Sequence, residues 1–238
     1  MKYNEIRITI IKKIRDIYFL IKFEKGKFLF KYFITFFYHL LLKKKFYFDF
    51  ENANFSNKWF YQNTSYINFF LFSKKKEIKN ILEIGSFEGQ SALFFIKYFP
   101  NPKITCVDIW ENQESNYKNI EFDNVEKSFD KNLESYKKKI YKFRGTSKKF
   151  FQKNNITDFD LIFIDGSHYM KHVYQDAINS FKSLKLNGYI LFDDYLFKYK
   201  SQNNSHPIFA INKFLNKYKK KIEIIAIYRQ VLVKKISE

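Results

Sequence analysis

The sequence predicts an α/β protein: a doubly wound, mostly parallel seven-stranded sheet with an antiparallel edge strand, preceded by a helical N-terminal extension. Three observations predict it. From residue 81 onward, short apolar runs alternate with segments of helical period, the pattern of strand–helix crossovers. Three of those runs end in carboxylates, at Asp108, Asp165 and Asp193-Asp194, as buried parallel strands do when their C-terminal ends carry a site. The chain then closes on two neighbouring β-rich segments that read as a hairpin and supply the antiparallel strand.

Taken in order, Ile6 to Phe23 mixes apolar residues and lysines as an amphipathic helix does. Phe28 to Leu42 is almost wholly apolar and aromatic, broken by Lys31 and followed by Lys43-Lys44-Lys45. It is shorter than the ~20 residues that cross a bilayer, and no small-residue cleavage site follows it. Aromatics beside lysines suit an interfacial helix on an anionic leaflet, and also a helix packed on the domain or across a dimer. Ile81–Ile84 is a strand, Gln90–Tyr98 a helix stopped by Pro100, and Ile104–Asp108 a strand. A polar helix over Val125–Lys138 leads to strands at Tyr141–Arg144 and Leu161–Asp165. Val173–Leu184 is a helix with a stop at Asn187-Gly188, and Tyr189–Asp193 is the next strand. Ile208–Tyr218 is a helix, and Ile222–Ile227 with Val231–Ile236 form the hairpin. Residues 1–55 are expected to be a basic, aromatic extension and 56–238 the catalytic domain.

Composition narrows the function classes. The 238 residues suffice for one α/β domain plus an extension. A net charge of +19 would suit a polyanion, but of 43 basic residues only Arg7, Arg15, Arg144 and Arg229 are arginine. Nucleic-acid readers rely on arginine for bidentate contacts, and the lysines here are scattered, so nucleic acid is not the expected partner. Lysine, asparagine, isoleucine, phenylalanine and tyrosine in excess match the drift of an AT-rich genome. The single cysteine, Cys106, excludes an internal disulfide and fits a reducing cytosol, with the inner membrane face left open by the extension.

The stretch Ile81-Leu82-Glu83-Ile84-Gly85-Ser86-Phe87-Glu88-Gly89-Gln90-Ser91 runs a strand into a glycine turn and a helix, a seat for a nucleotide-like ligand. Its E-x-G-x-x-x-G spacing is wider than the G-x-G-x-x-G of dinucleotide sites. This form resembles the first motif of class I S-adenosylmethionine (SAM)-dependent methyltransferases. From Trp59 to the C-terminus, Asn57-Lys58-Trp59-Phe60, Asp165-Gly166-Ser167-His168, Phe192-Asp193-Asp194-Tyr195 and Arg229–Lys235 look like the type 24 group of that class. The resemblance implies a Rossmann-like fold in which Gly85 and Gly89 make room for the methionine part of SAM. It places Glu83 near the ligand's amino group, Ser86, Ser91 and Asp165 beside the cofactor, and Asp108 on the ribose hydroxyls. Ile109 or Trp110 would lie against adenine, with Thr146 nearby.

Asp165, Asp193 and Asp194 on adjacent strand ends would offer three oxygens to Mg²⁺ or Mn²⁺. The set resembles the metal site of metal-dependent O-methyltransferases, and Asp-Asp at the second position looks more like the sugar-modifying branch. Without a metal, Asp165 would cap the following helix and Asp193 would be structural. Asp165 or His168 is the candidate proton acceptor, although His168 also reads as a plain loop residue. His172 and His206 are weaker candidates, and His39 sits in an apolar run that suggests packing. The expected activity is O-methylation of a sugar or small-metabolite hydroxyl, with a homo-oligomer left open. Two alternatives stand beside it. One is a membrane-associated binding protein on an inactive methyltransferase fold. The other is a glycosyltransferase using Asp193-Asp194 as its acidic pair.

Overall fold

A computed structural model describes residues 17–18, 21, 28–42, 48–50, 53–111, 122–153, 158–197 and 206–238. The expected helix over Ile6–Phe23 lies almost wholly outside them. The elements are α1 (Leu29–Leu42), α2 (Thr64–Leu71), β1 (Asn80–Ile84), α3 (Gln90–Tyr98), β2 (Lys103–Asp108), α4 (Phe122–Leu133) and β3 (Ile140–Arg144). They continue with α5 (Ser147–Lys153), β4 (Phe159–Ile164), α6 (Met170–Ser183), β5 (Leu184–Phe192), α7 (Pro207–Lys217), β6 (Ile222–Ile227) and β7 (Val231–Lys235).

The strands form one seven-stranded sheet in the order β3-β2-β1-β4-β5-β7-β6. The first five are parallel, and β7 runs antiparallel to both β5 and β6, so it lies one place in from the β6 edge. Every strand residue of β4 except Asp160 is buried, as are all of the last five residues of β5. That is what helices on both faces of a parallel sheet require. Phe60, Phe94, Phe95 and Phe163 interlock edge to face, with ring centroids 5.4–5.8 Å apart. Each such buried ring contributes about 2–3 kcal/mol.

A carboxylate aligns the sheet at one end and backbone hydrogen bonds extend it at the other. At the N-terminal end, Asp160 Oδ2 accepts the backbone N–H groups of Lys79 and Asn80, and its Oδ1 accepts Lys185 Nζ. At the C-terminal end the ladder runs one residue past each strand. Gly85 N–H donates to Val107, Asp165 N–H to Ile84, Asp193 N–H to Ile164 and Gly145 N–H to Asp108, each at 2.8–2.9 Å. The candidate residues therefore share one edge, in register, at the end where α/β sheets place ligands.

Several elements differ from expectation. Asn187-Gly188 does not stop a helix. α6 ends at Ser183 and passes directly into β5, where Asn187 takes a left-handed φ of +67° beside a register shift. The helix end is closed instead by buried Lys235, whose Nζ donates to the carbonyls of Leu184 (2.9 Å) and Phe181 (3.4 Å). α2 and α5 carry no strong sequence signal. α1 packs its inner face on β6: Tyr32 and Thr35 are buried, Ile227 N–H donates to Thr35 Oγ1, and Lys31 Nζ donates to the Ile224 carbonyl. The edge strand is thereby covered. Among the described residues, no helix is long and apolar enough to cross a membrane.

Candidate active site

The strand ends open into a cleft of about 1230 Å³. One end is built on the glycine turn. Gly85 and Gly89 adopt φ of +90° and +82°, which side-chain-bearing residues rarely hold. Besides the expected ligand room, packing within the protein demands glycine here. A Cβ on Gly85 would lie 2.1 Å from the Asp165 carbonyl oxygen, and one on Gly89 would lie 2.7 Å from Leu133 Cδ1. The protein itself occupies that space: β1 and the end of β4 are in backbone contact, and α4 rests on the turn.

Asp108 holds the turn in shape. Its Oδ2 accepts the N–H groups of Ser86 (2.8 Å) and Phe87 (2.9 Å), and Oδ1 accepts Trp110 N–H (2.8 Å). Burial raises its pKa, and these backbone donors pull it back down. Asp108 lines the cleft, with both carboxylate oxygens facing backbone N–H groups. Ile109 lines the cleft. Trp110 does not, which corrects its expected place against adenine. A φ of +47° turns it inward, where Nε1 donates to the Phe87 carbonyl and the ring packs on Phe129.

Glu83 stands near the end of β1. It is fully buried behind the turn, outside the cleft lining, with neither carboxylate oxygen closing a hydrogen bond. Burial pushes its pKa to about 7, while the facing Ser86, Ser91 and Cys106 side chains draw it down without reaching bonding geometry. Ser86, Ser91, Gly145 and Thr146 line the same end. Phe151 adds an apolar wall there, and Asp176 lies beside it with Oδ1 accepting Ser147 Oγ at 2.5 Å. Burial raises Asp176 to about 7.

The other end is acidic. Ligand atoms of Asp165, His168 and Asp194 lie within 4.8 Å of one another. His168 Nε2 is 2.7 Å from Asp194 Oδ2, and the imidazole stacks on Phe197 at 4.3 Å. Asp165 is held well above the ordinary carboxylate range, first by burial and then by the charges of Asp193, Asp194, Glu83 and Asp108. Asp193 does not join this cluster, which corrects the expected Asp165–Asp193–Asp194 set. Its Oδ2 accepts Asn63 Nδ2 at 2.8 Å and its Oδ1 accepts Asp194 N–H at 2.8 Å. Burial, with the Asp194 charge, raises it to about 7. Asp193 and Asp194 both line the cleft, with Asp193 bonded to Asn63 and Asp194 to His168. Asp194, at φ +51°, is held in a conformation that sends its side chain to His168.

Two carboxylates and an imidazole are a donor set that suits a divalent cation such as Mg²⁺ or Mn²⁺. The turn end offers the Asp108 carboxylate, apolar walls at Val107, Ile109 and Phe151, and room for a nucleoside-sized ligand.

Sequence reasoning missed Asn63, which fixes Asp193 from 130 positions away, and Asp176, which no motif marks. Phe197, three residues past Asp194, and Arg229, quoted only as part of the closing strand, also line the cleft. His172 lines it with Nδ1 3.0 Å from Ser167 Oγ, whereas His206 is buried before α7.

Residues 82–195 match the family described as a methyltransferase domain, type 24. No curated protein sequence matches the chain. Among solved structures, the chain is similar to an O-methyltransferase from Bacillus cereus in complex with S-adenosylhomocysteine (SAH). The TM-score is 0.57 at 12% identity, covering 93% of this chain and 96% of that one. It is similar to the O-methyltransferase TomG of Streptomyces achromogenes, involved in tomaymycin synthesis and bound to SAM, with TM-score 0.55 at 13% identity, covering 71% and 78%. It is also similar to MycE of the mycinamycin pathway, in complex with Mg, SAH and mycinamycin VI. There the TM-score is 0.56 at 16% identity, covering 76% of this chain and 51% of that one. At such identities the likeness is one of fold.

Proposed function

We propose that this chain, a methyltransferase by its domain over residues 82–195, transfers the methyl group of SAM to a hydroxyl oxygen of a sugar or another small metabolite. The observation that carries the reading is the meeting, in one cleft, of the glycine turn braced by Asp108 with the Asp165–His168–Asp194 cluster. Bound SAM supplies a methyl group already attached to a sulfonium leaving group, so the protein's work is alignment and proton management.

Each end has its part. Backbone fixed by Asp108 shapes the cofactor end, with Ser86, Ser91, Ile109 and Thr146 on its walls. Asp165, His168 and Asp194 would hold a divalent cation, which would supply positive charge where an acceptor oxygen develops negative charge. Asp194 Oδ2 and the Phe197 ring orient the His168 imidazole as the nitrogen ligand of that set. Asp165, through the carboxylate oxygen not turned to the cation, would take the acceptor's proton as the oxygen–methyl bond forms. Trp59, half-exposed at the cleft mouth against Phe87, offers a flat apolar surface for an acceptor ring. The sugar preference rests on the resemblance of Asp193-Asp194, as sequence, to the sugar-modifying branch. Cys106, the only cysteine, is buried in β2, which suits a reducing cytosol.

Calorimetric titration with SAH tests the reading. On the order of micromolar binding is expected, and no heat at millimolar ligand, with and without Mg²⁺, would overturn it.

A further inference from the structure

α1 is apolar on both faces, although among the described residues only one of them is covered. Phe28, Tyr32 and Thr35 face β6 and are buried, with Tyr32 and Phe36 packed on Tyr228. The opposite side carries Phe30, Phe33, Ile34, Phe37 and Leu41, between 41% and 79% exposed. Spaced three or four residues apart, they form a continuous stripe about 100° wide. Phe72, 66% exposed beyond α2, extends the apolar surface through the stacked Tyr38–Phe69 pair, whose rings are 4.7 Å apart. A helix with apolar residues all round belongs in an apolar environment on both sides.

Charge decides what lies on the outer side. Lys25 and Lys27 precede the stripe in sequence, Lys43-Lys44-Lys45 follow it, and the chain carries +19 overall. Lys31, the one lysine within α1, is turned inward to the Ile224 carbonyl and is not part of the outer face. A second copy docking through the same stripe would set the lysines of the two chains against each other. An anionic lipid surface satisfies both features: the rings enter the headgroup–acyl boundary and the flanking lysines meet phosphate charge.

We propose that the outer face of α1 is a docking surface for anionic membrane, holding the enzyme flat on a bilayer without crossing it. The full-length protein should float in a density gradient with vesicles of phosphatidylcholine plus phosphatidylglycerol, should not float with phosphatidylcholine alone, and should be released by high salt. Phe30→Ser with Phe37→Ser should lower partitioning at least about tenfold. Lys43→Gln, Lys44→Gln and Lys45→Gln together should also weaken it. The Phe→Ser variant should keep wild-type thermal unfolding and SAH affinity, since Phe30 and Phe37 are not among the described residues that line the cleft. Flotation is read without cofactor, so it succeeds or fails independently of the catalytic reading. The proposal is overturned if wild type ignores anionic vesicles or if the Phe→Ser variant floats as wild type does. It is equally overturned if sedimentation shows a dimer that the Phe→Ser variant dissolves while vesicle binding is absent.

Discussion

The two ends of the cleft use the same side chain to opposite effect. At the turn end, Asp108 is surrounded by backbone donors and closes three hydrogen bonds, which makes a buried carboxylate a structural bracket. At the other end, Asp165 is surrounded by carboxylates, and burial and repulsion together raise its pKa well above the ordinary carboxylate range. Both residues end parallel strands of one sheet. What separates them is the company each keeps: one end is finished by the protein alone, and the other stores unbalanced charge that a cation or an acceptor would relieve.

Substitutions should break this contrast in a graded way. The largest effect is expected at Gly85→Ala, where a Cβ would press on the Asp165 carbonyl at φ +90°. A loss of about 4 kcal/mol or more, read by urea denaturation, would show that the turn is held by backbone contact. Asp108→Asn should cost about 3 kcal/mol, because an amide NH₂ facing buried N–H donors leaves them unpaired. The same denaturation series should show SAH affinity falling with stability.

Asp176 sharpens the comparison through pH. Its folded pKa, raised to about 7 by burial, exceeds that of an exposed carboxylate, so its proton stabilises the fold at low pH. That contribution is complete below about pH 4 and is lost as pH rises through 7. Relative to Asp176→Asn, wild type should therefore lose roughly 2 kcal/mol between pH 5 and pH 8. The smallest effect has the opposite sign from Asp108→Asn. Asp165→Asn, measured in chelator at pH 8, should stabilise the protein by about 1 kcal/mol while abolishing methyl transfer, because it removes one of several crowded charges.

The sheet was legible because apolar runs ending in Asp108, Asp165 and Asp193 are a pattern few other folds produce. The C-terminal hairpin was legible too, but not its insertion order, since nothing local specifies that β7 enters between β5 and β6. The glycine turn was legible as a turn, but not the backbone contact that also demands Gly85, because the Asp165 carbonyl lies 80 positions away. The acidic residues were found by type, but their partners were not. Asn63 draws Asp193 aside, and a left-handed Asp194 brings in His168, through contacts that no spacing encodes. Trp110 shows the same limit: its backbone conformation, not its identity, turns it from the cleft into the core.

The most direct test of the two-ended site is a paired calorimetric titration of Asp108→Ala and Asp194→Ala, first with SAH in chelator and then with Mn²⁺. If each end is built as described, Asp108→Ala loses SAH binding and Asp194→Ala keeps it, while Mn²⁺ binding shows the reverse. SAH binding that survives in Asp108→Ala and disappears in Asp194→Ala would contradict the assignment of the two ends.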